Sequence, residues 1–102
     1  WNWPSAWGWD CPMVAMTAAR LGEPARAIDA LLRDTPKNVF TSNGHNFNTA
    51  GFLNVYLPGN GALLAATAMM AAGWDGAPPG NAPGFPADGS WTVKWEGLKK
   101  AP

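Results

Sequence analysis

Apolar residues recur at helical spacing in three stretches of this chain, separated by runs rich in Gly, Pro and Asn. In the first, Asp10 or Cys11 is placed to cap a helix with Pro12 in its first turn. The run MVAMTAARL carries that helix to Gly22, a residue suited to the C′ position. Glu23-Pro24 opens a second helix, PARAIDALLRD, ending near Asp34, so the two form an αα-hairpin with a very short connection. A long polar loop, TPKNVFTSNGHNFNTAGF, follows over 35–52. The third helix is predicted over about 60–72, between NVYLPGNG and Gly73. Residues 74–90, WDGAPPGNAPGFPADGS, hold too much Gly and Pro for regular structure. The last stretch, WTVKWEGL, alternates Trp91, Val93 and Trp95 with Thr92, Lys94 and Glu96, which predicts a strand with one apolar face.

The faces of the helices say more than their number. Helix one carries only Arg20 as a full charge after its start, and helix three carries none. A helix that is apolar all round must be covered all round. Helix two differs: Ala25, Ile28, Leu31 and Leu32 make one stripe, while Arg26, Asp29, Arg33 and Asp34 lie elsewhere, with Asp29 and Arg33 spaced as an i,i+4 pair. The order is buried, exposed, buried. One amphipathic helix and a short strand cannot cover two buried helices. The pattern therefore predicts a mainly α chain that is a piece of a larger helical assembly, with a helical part over 1–90 and a short strand and tail over 91–102.

Charge and composition narrow the partners. Seven basic and seven acidic residues give a net charge of zero, with no basic stripe for nucleic acid and no polybasic cluster for a membrane. The longest nearly uncharged apolar run, ALLAATAMMAA, is too short to span a bilayer. Cys11 is the one cysteine, which excludes an internal disulfide and a multi-cysteine metal site. Seven Trp beside 12 Gly and 10 Pro describe an ordered, loop-rich protein with much aromatic surface to place.

That surface is concentrated at WNWPSAWGWDC, where Trp1, Trp3, Trp7 and Trp9 sit in a segment broken by Pro and Gly and cannot all enter one core. Flat aromatic faces beside polar loops are what CH-rich rings such as sugars stack on. Asp10 follows directly, either a helix cap or a carboxylate at the mouth of an aromatic cleft. The loop SNGHNFN gathers Asn43, His45, Asn46 and Asn48, residues that suit tight turns and also sugar hydroxyls. His45 has no second ligand at metal spacing, and neither a nucleophile elbow nor a phosphate loop occurs, so no metal or cofactor is expected. Glu96 lies on the polar face of the predicted strand with Lys94 as its partner. Glycoside hydrolysis uses two carboxyl groups about the scissile bond, and here only Asp10 is suitably placed.

WPSAWGWDCPMVAMTAARLGEPARAIDALL resembles the late helical hairpin of six-hairpin, (α/α)6-barrel glycoside hydrolases, in which a Trp-containing loop precedes an inner helix and an RLG-type turn leads to an outer one. HNFNTAGF is similar to the loop entering the last inner helix in relatives of the family 95 fucosidases. YLPGNGALLAATAMMAAGW and GFPADGSWTVKWEGL resemble the closing helix and the short β-segment that follows that barrel. The resemblance extends to family 65 and to the unassigned relatives of both families. The resemblance implies a fragment of an (α/α)6 toroid whose partners are a carbohydrate substrate and the upstream part of the same polypeptide. It places Trp3, Trp7 and Trp9 along the sugar cleft, His45 and Asn46 on substrate hydroxyls, and Asp10 as the candidate catalytic carboxylate. The chain departs from family 95 at Asn43-Gly44-His45, where that family carries a catalytic acid. The alternative is a toroid that holds a glycan without hydrolysing it.

Overall fold

The computed structural model describes residues 1–48 and 53–102. The last four residues of the HNFNTAGF motif therefore lie outside the described residues. The chain is mainly helical, with helices α1 (Asp10–Arg20), α2 (Pro24–Leu31) and α3 (Leu57–Ala72) and a two-stranded antiparallel sheet of β1 (Val39–Phe40) and β2 (Asn46–Phe47). A 3-10 turn, Trp3–Ser5, precedes α1.

Each helix boundary has a local cause. Pro24 and Pro58 stand in the first turns of α2 and α3, where a missing N–H costs no hydrogen bond. Helix α1 ends in a Schellman motif: Gly22, at φ +77°, donates to the Ala19 carbonyl, and Glu23 donates to that of Ala18. Gly73, at φ +90°, closes α3 by donating to the Met69 carbonyl. Helix α3 begins three residues earlier than its apolar run, because Leu57-Pro58 starts the helix before Gly59 and Gly61 interrupt the pattern.

Helix α1 is central and packs on both α2 and α3. The core is narrow: Ala15 and Ala19 of α1 meet Ala27 and Ala30 of α2 and Met69 and Met70 of α3, with Trp74 against them. Small side chains let the helices approach closely but bury little area each, so Met70 and Trp74 supply most of the large apolar contact. The Gly/Pro stretch is irregular and docks on α3 at Gly84, whose N–H donates to the Met70 carbonyl.

Four expectations are corrected. WTVKWEGL forms no strand. Alternation alone makes none without a partner edge, and this segment is held through side chains instead. Trp91 packs on Phe85 with ring centroids 5.3 Å apart, Trp95 Nε1 donates to Asn81 Oδ1, and Asn81 Nδ2 donates to the Val93 carbonyl. Backbone pairing near the C-terminus is a single parallel bridge between Trp74 and Ala101. Within the stretch read as loop, Val39–Phe40 and Asn46–Phe47 instead form a small hairpin. Helix α2 stops at Leu31, which takes Arg33 off the helical register and away from Asp29; among the described residues the one ion pair is Arg26 with Glu23. Lys94 and Glu96 likewise form none.

Candidate functional site

The Trp-rich segment folds as a 3-10 turn followed by a tight turn, Trp7-Gly8-Trp9-Asp10, that feeds α1. Asp10 does not cap α1 from outside. It occupies the first helical position, and its carboxylate reaches back to accept the Trp7 N–H at 2.7 Å, while its own N–H donates to the Trp7 carbonyl at 2.9 Å. The carboxylate thus closes the turn that leads into the helix, reaching a backbone N–H three residues back and two before the N-cap. A forward cap could not use Pro12, which has no N–H to give. Asp10 is buried, with its Oδ2 engaged by the Trp7 N–H.

None of the four N-terminal tryptophans is buried. Trp1 and Trp3 stack on one another at 5.8 Å between centroids, and the Arg33 guanidinium lies 4.6 Å from the Trp3 ring. Trp7, 40% exposed, packs on Tyr56 with centroids 5.5 Å apart and a 37° tilt. The Lys37 ammonium stands 3.9 Å from the Trp7 ring centroid and donates to the Ser5 carbonyl at 3.3 Å. Trp9 is 42% exposed and has no ring or cation partner among the described residues. Trp9 is thus the open aromatic face, beside a Trp7–Tyr56 pair already braced by a cation.

Beneath this surface lies Asn46. It is fully buried, and nearly every polar atom of it serves the protein. Its Nδ2 donates to the carbonyls of Lys37 (3.3 Å) and Val39 (3.0 Å), its N–H donates to Asn60 Oδ1 (2.9 Å), and its carbonyl accepts the Tyr56 N–H (2.8 Å). Asn60 Nδ2 donates in turn to the Gly44 carbonyl at 2.7 Å. The Asn46 carboxamide fills the space where Gly8 and Gly59 lack a Cβ: an added Cβ would stand 2.9 Å from its Cγ at Gly8 and 2.6 Å at Gly59. Gly8 lies between Trp7 and Trp9, and Gly59 follows Tyr56 in the first turn of α3. Asn46 is therefore the pin that holds the aromatic turn, the β1 approach and the α3 N-terminus together. It has no exposed surface, and its Oδ1 is the one of its polar atoms without a hydrogen-bond partner.

His45, next in the chain, stays exposed on the hairpin loop. Its carbonyl accepts from Thr41 at 3.0 Å, and its N–H donates to Asn43 Oδ1 at 3.4 Å. The structure thus brings Trp7, Trp9, Asp10 and Asn46 together, sets Trp3 beside Arg33, and leaves His45 at the rim. Lys37, Tyr56, Gly8 and Gly59 escape the sequence reading. Lys37 had a signal: it is the one Lys, Arg, Asp or Glu between Asp34 and Asp75. Tyr56, the single tyrosine, sits where the chain turns into α3.

Two titrating groups feel this floor. Burial pushes the Tyr56 phenol up, and the Asp10 charge adds to the shift, so Tyr56 is a neutral hydroxyl at physiological pH. Burial also raises the Cys11 thiol, reinforced by Asp10 and opposed by Thr35 and Arg33. Cys11 is wholly enclosed and behaves as a packing residue. Iodoacetamide at pH 8 is expected to leave Cys11 unmodified in the folded protein and to label it fully in denaturant; mass spectrometry reads both. Rapid native labelling would show that the floor opens. Among the described residues no group of three His, Cys, Asp or Glu is gathered as a metal site would require, and no helix is long and apolar enough to cross a membrane.

No family model, curated protein or solved structure matches this chain.

Proposed function

We propose that this chain forms one wall of a carbohydrate-binding cleft within a larger six-hairpin, (α/α)6 glycoside hydrolase-like assembly. The observation that carries the reading is the half-exposed indole of Trp9, in one turn with a Trp7–Tyr56 pair, mounted on the buried polar floor of Asp10 and Asn46. Aromatic faces held rigidly beside polar groups suit the CH faces and hydroxyls of a sugar ring, and their rigidity lowers the ordering cost of binding.

The surface supports the larger assembly. Its accessible area of 6304 Å² exceeds the roughly 5,500 Å² expected for a folded monomer of 10.8 kDa. Leu64 of α3 is 72% exposed, and a groove of about 450 Å³ between α2 and α3 is walled by Ile28, Leu31, Leu32, Phe40, Leu63 and Trp91. In this reading neighbouring hairpins of the same polypeptide cover these faces and supply the acid or base opposite Asp10.

The binding-only alternative has its own observation. The hairpin loop at Asn43, Gly44 and His45 offers no carboxylate, and Asp10 is engaged by the Trp7 amide. Titration of the full-length protein with a panel of oligosaccharides tests both. Trp9→Ala is expected to weaken glycan binding about tenfold or more, through a lost stacking contact of about 1.5 kcal/mol. Asp10→Asn, which keeps a carbonyl for the Trp7 N–H, is expected to cut turnover by about 100-fold or more where Asp10 acts as acid or base. Unchanged turnover after Asp10→Asn removes Asp10 from the chemistry, glycan binding without any turnover assigns the cleft to binding alone, and unchanged affinity after Trp9→Ala rejects the cleft itself.

A further inference from the structure

We infer that the cleft selects anionic sugars, carboxylated or sulfated, and that Lys37 is the group that recognises the charge; the inference rests on the sugar-binding reading above. Two cations stand on the aromatic surface, Lys37 at 3.9 Å from the Trp7 ring and Arg33 at 4.6 Å from the Trp3 ring. Both are half-buried, yet neither has a carboxylate partner, the one ion pair among the described residues being Arg26–Glu23. Asp10 faces the Trp7 amide, and Asp34, exposed beside Arg33 in the chain, pairs with neither cation. A ring face steadies an ammonium group without neutralising it. The Ser5 carbonyl takes one of the three Lys37 donors, which leaves two for a ligand.

A neutral sugar that extends from Trp9 to the Trp7 side of the turn would cover Lys37 without supplying a counter-charge, a desolvation cost with no return. A ring bearing a carboxylate or sulfate supplies that charge. Its CH face lies on the Trp9 indole and its anion reaches the Lys37 ammonium over Trp7, two residues away in the same turn, where the Lys37 carbonyl faces the intervening Gly8. Discrimination then comes from both sides, attraction for the anionic ring and a penalty for the neutral one.

The probes are an oligogalacturonate and its methyl ester, which keep one shape and differ in charge, and a sulfated galactan oligosaccharide with its desulfated form. In the full-length protein one anionic probe is expected to bind about tenfold tighter than its neutral counterpart at low salt. That preference is expected to shrink as ionic strength rises from about 0.05 to about 0.5 M, where screening shortens the reach of the charge. Lys37→Met is expected to bring the ratio of affinities near one, and Lys37→Arg to preserve it. Preference for the carboxylated or the sulfated pair names the anion. Equal binding within both pairs, or a preference that persists in Lys37→Met, overturns the inference and leaves the cleft standing. Failure of all four probes, together with every neutral glycan, overturns the sugar-binding reading itself.

Discussion

Replacing Gly59 with alanine is expected to lower the Tm by about 10–20 °C, although alanine is the better helix former by about 1 kcal/mol. The residue lies within the first turn of α3 at an ordinary helical φ, so propensity alone predicts stabilisation. What opposes it is Asn46. The new Cβ would stand 2.6 Å from Asn46 Cγ and closer still to Oδ1, and the Asn46 side chain has nowhere to retreat because Gly8 encloses it from the other side. Moving the carboxamide breaks its bonds to the carbonyls of Lys37 and Val39 in a site with no exposed surface. Each buried group left unpaired costs about 1–3 kcal/mol, so the net loss is about 3 kcal/mol. A double-mutant cycle isolates the cause. In an Asn46→Ala background, where only a 3.1 Å approach to Cβ persists, Gly59→Ala is expected to be neutral to within about 1 kcal/mol. Thermal melts of the four proteins read the coupling directly. Equal costs in both backgrounds would mean that Asn46 does not occupy that space. The effect reaches the site: Gly59 follows Tyr56, so a displaced Asn46 also loosens the Trp7–Tyr56 pair.

The helical frame was legible because its signals are local. Pro12, Pro24 and the Gly22 and Gly73 stops act within a few residues, and a single sequence states them openly. The strand expected at Trp91–Glu96 was not a local matter. Alternation fixes which side chains share a face but says nothing about whether a neighbouring edge exists, and the Asn81 amide took the place of one. The Asp29–Arg33 pair failed similarly, because the i,i+4 relation holds only inside a helix and α2 ends two residues before Arg33.

The site was half legible for the same reason. An aromatic cluster beside Asp10 is visible in WNWPSAWGWDC, because composition alone marks it. The role of Asn46 is not visible, because an Asn in SNGHNFN reads as a turn residue until Gly8 and Gly59 are seen to converge on it. Gly8 reads as a loop breaker and Gly59 as a flaw in a helix. Together they are the two halves of a socket, formed by residues about 50 positions apart, and no pattern along the chain links them.

Trp74→Ala is expected to cost about 3–5 kcal/mol, a large share of the roughly 5–15 kcal/mol that holds a domain folded. The magnitude follows from what surrounds it. Four of the six helix residues that share its core cluster, Ala15, Ala19, Ala27 and Ala30, have methyl groups that cannot expand into the vacated volume, and only Met69 and Met70 have length to give. Trp74 also organises the chain end. Arg20 lies 6.0 Å from its ring and donates to the Pro102 carbonyl at 2.6 Å, Ala101 N–H donates to the Gly73 carbonyl at 3.0 Å, and Asp75 N–H donates to the Ala101 carbonyl at 2.9 Å. Removing the indole takes away the surface against which this bridge forms. Hydrogen exchange is therefore expected to show the amides of Asp75 and Ala101 exchanging near the unprotected rate in Trp74→Ala, along with the drop in Tm. Trp91→Ala is the control: Trp91 is 42% exposed and touches Phe85, so about 1 kcal/mol is expected, with the Ala101 amide still protected. If both substitutions cost the same, the core does not centre on Trp74. If Trp74→Ala melts early but keeps the Ala101 amide protected, the tail is held by Arg20 alone and packs independently of the core.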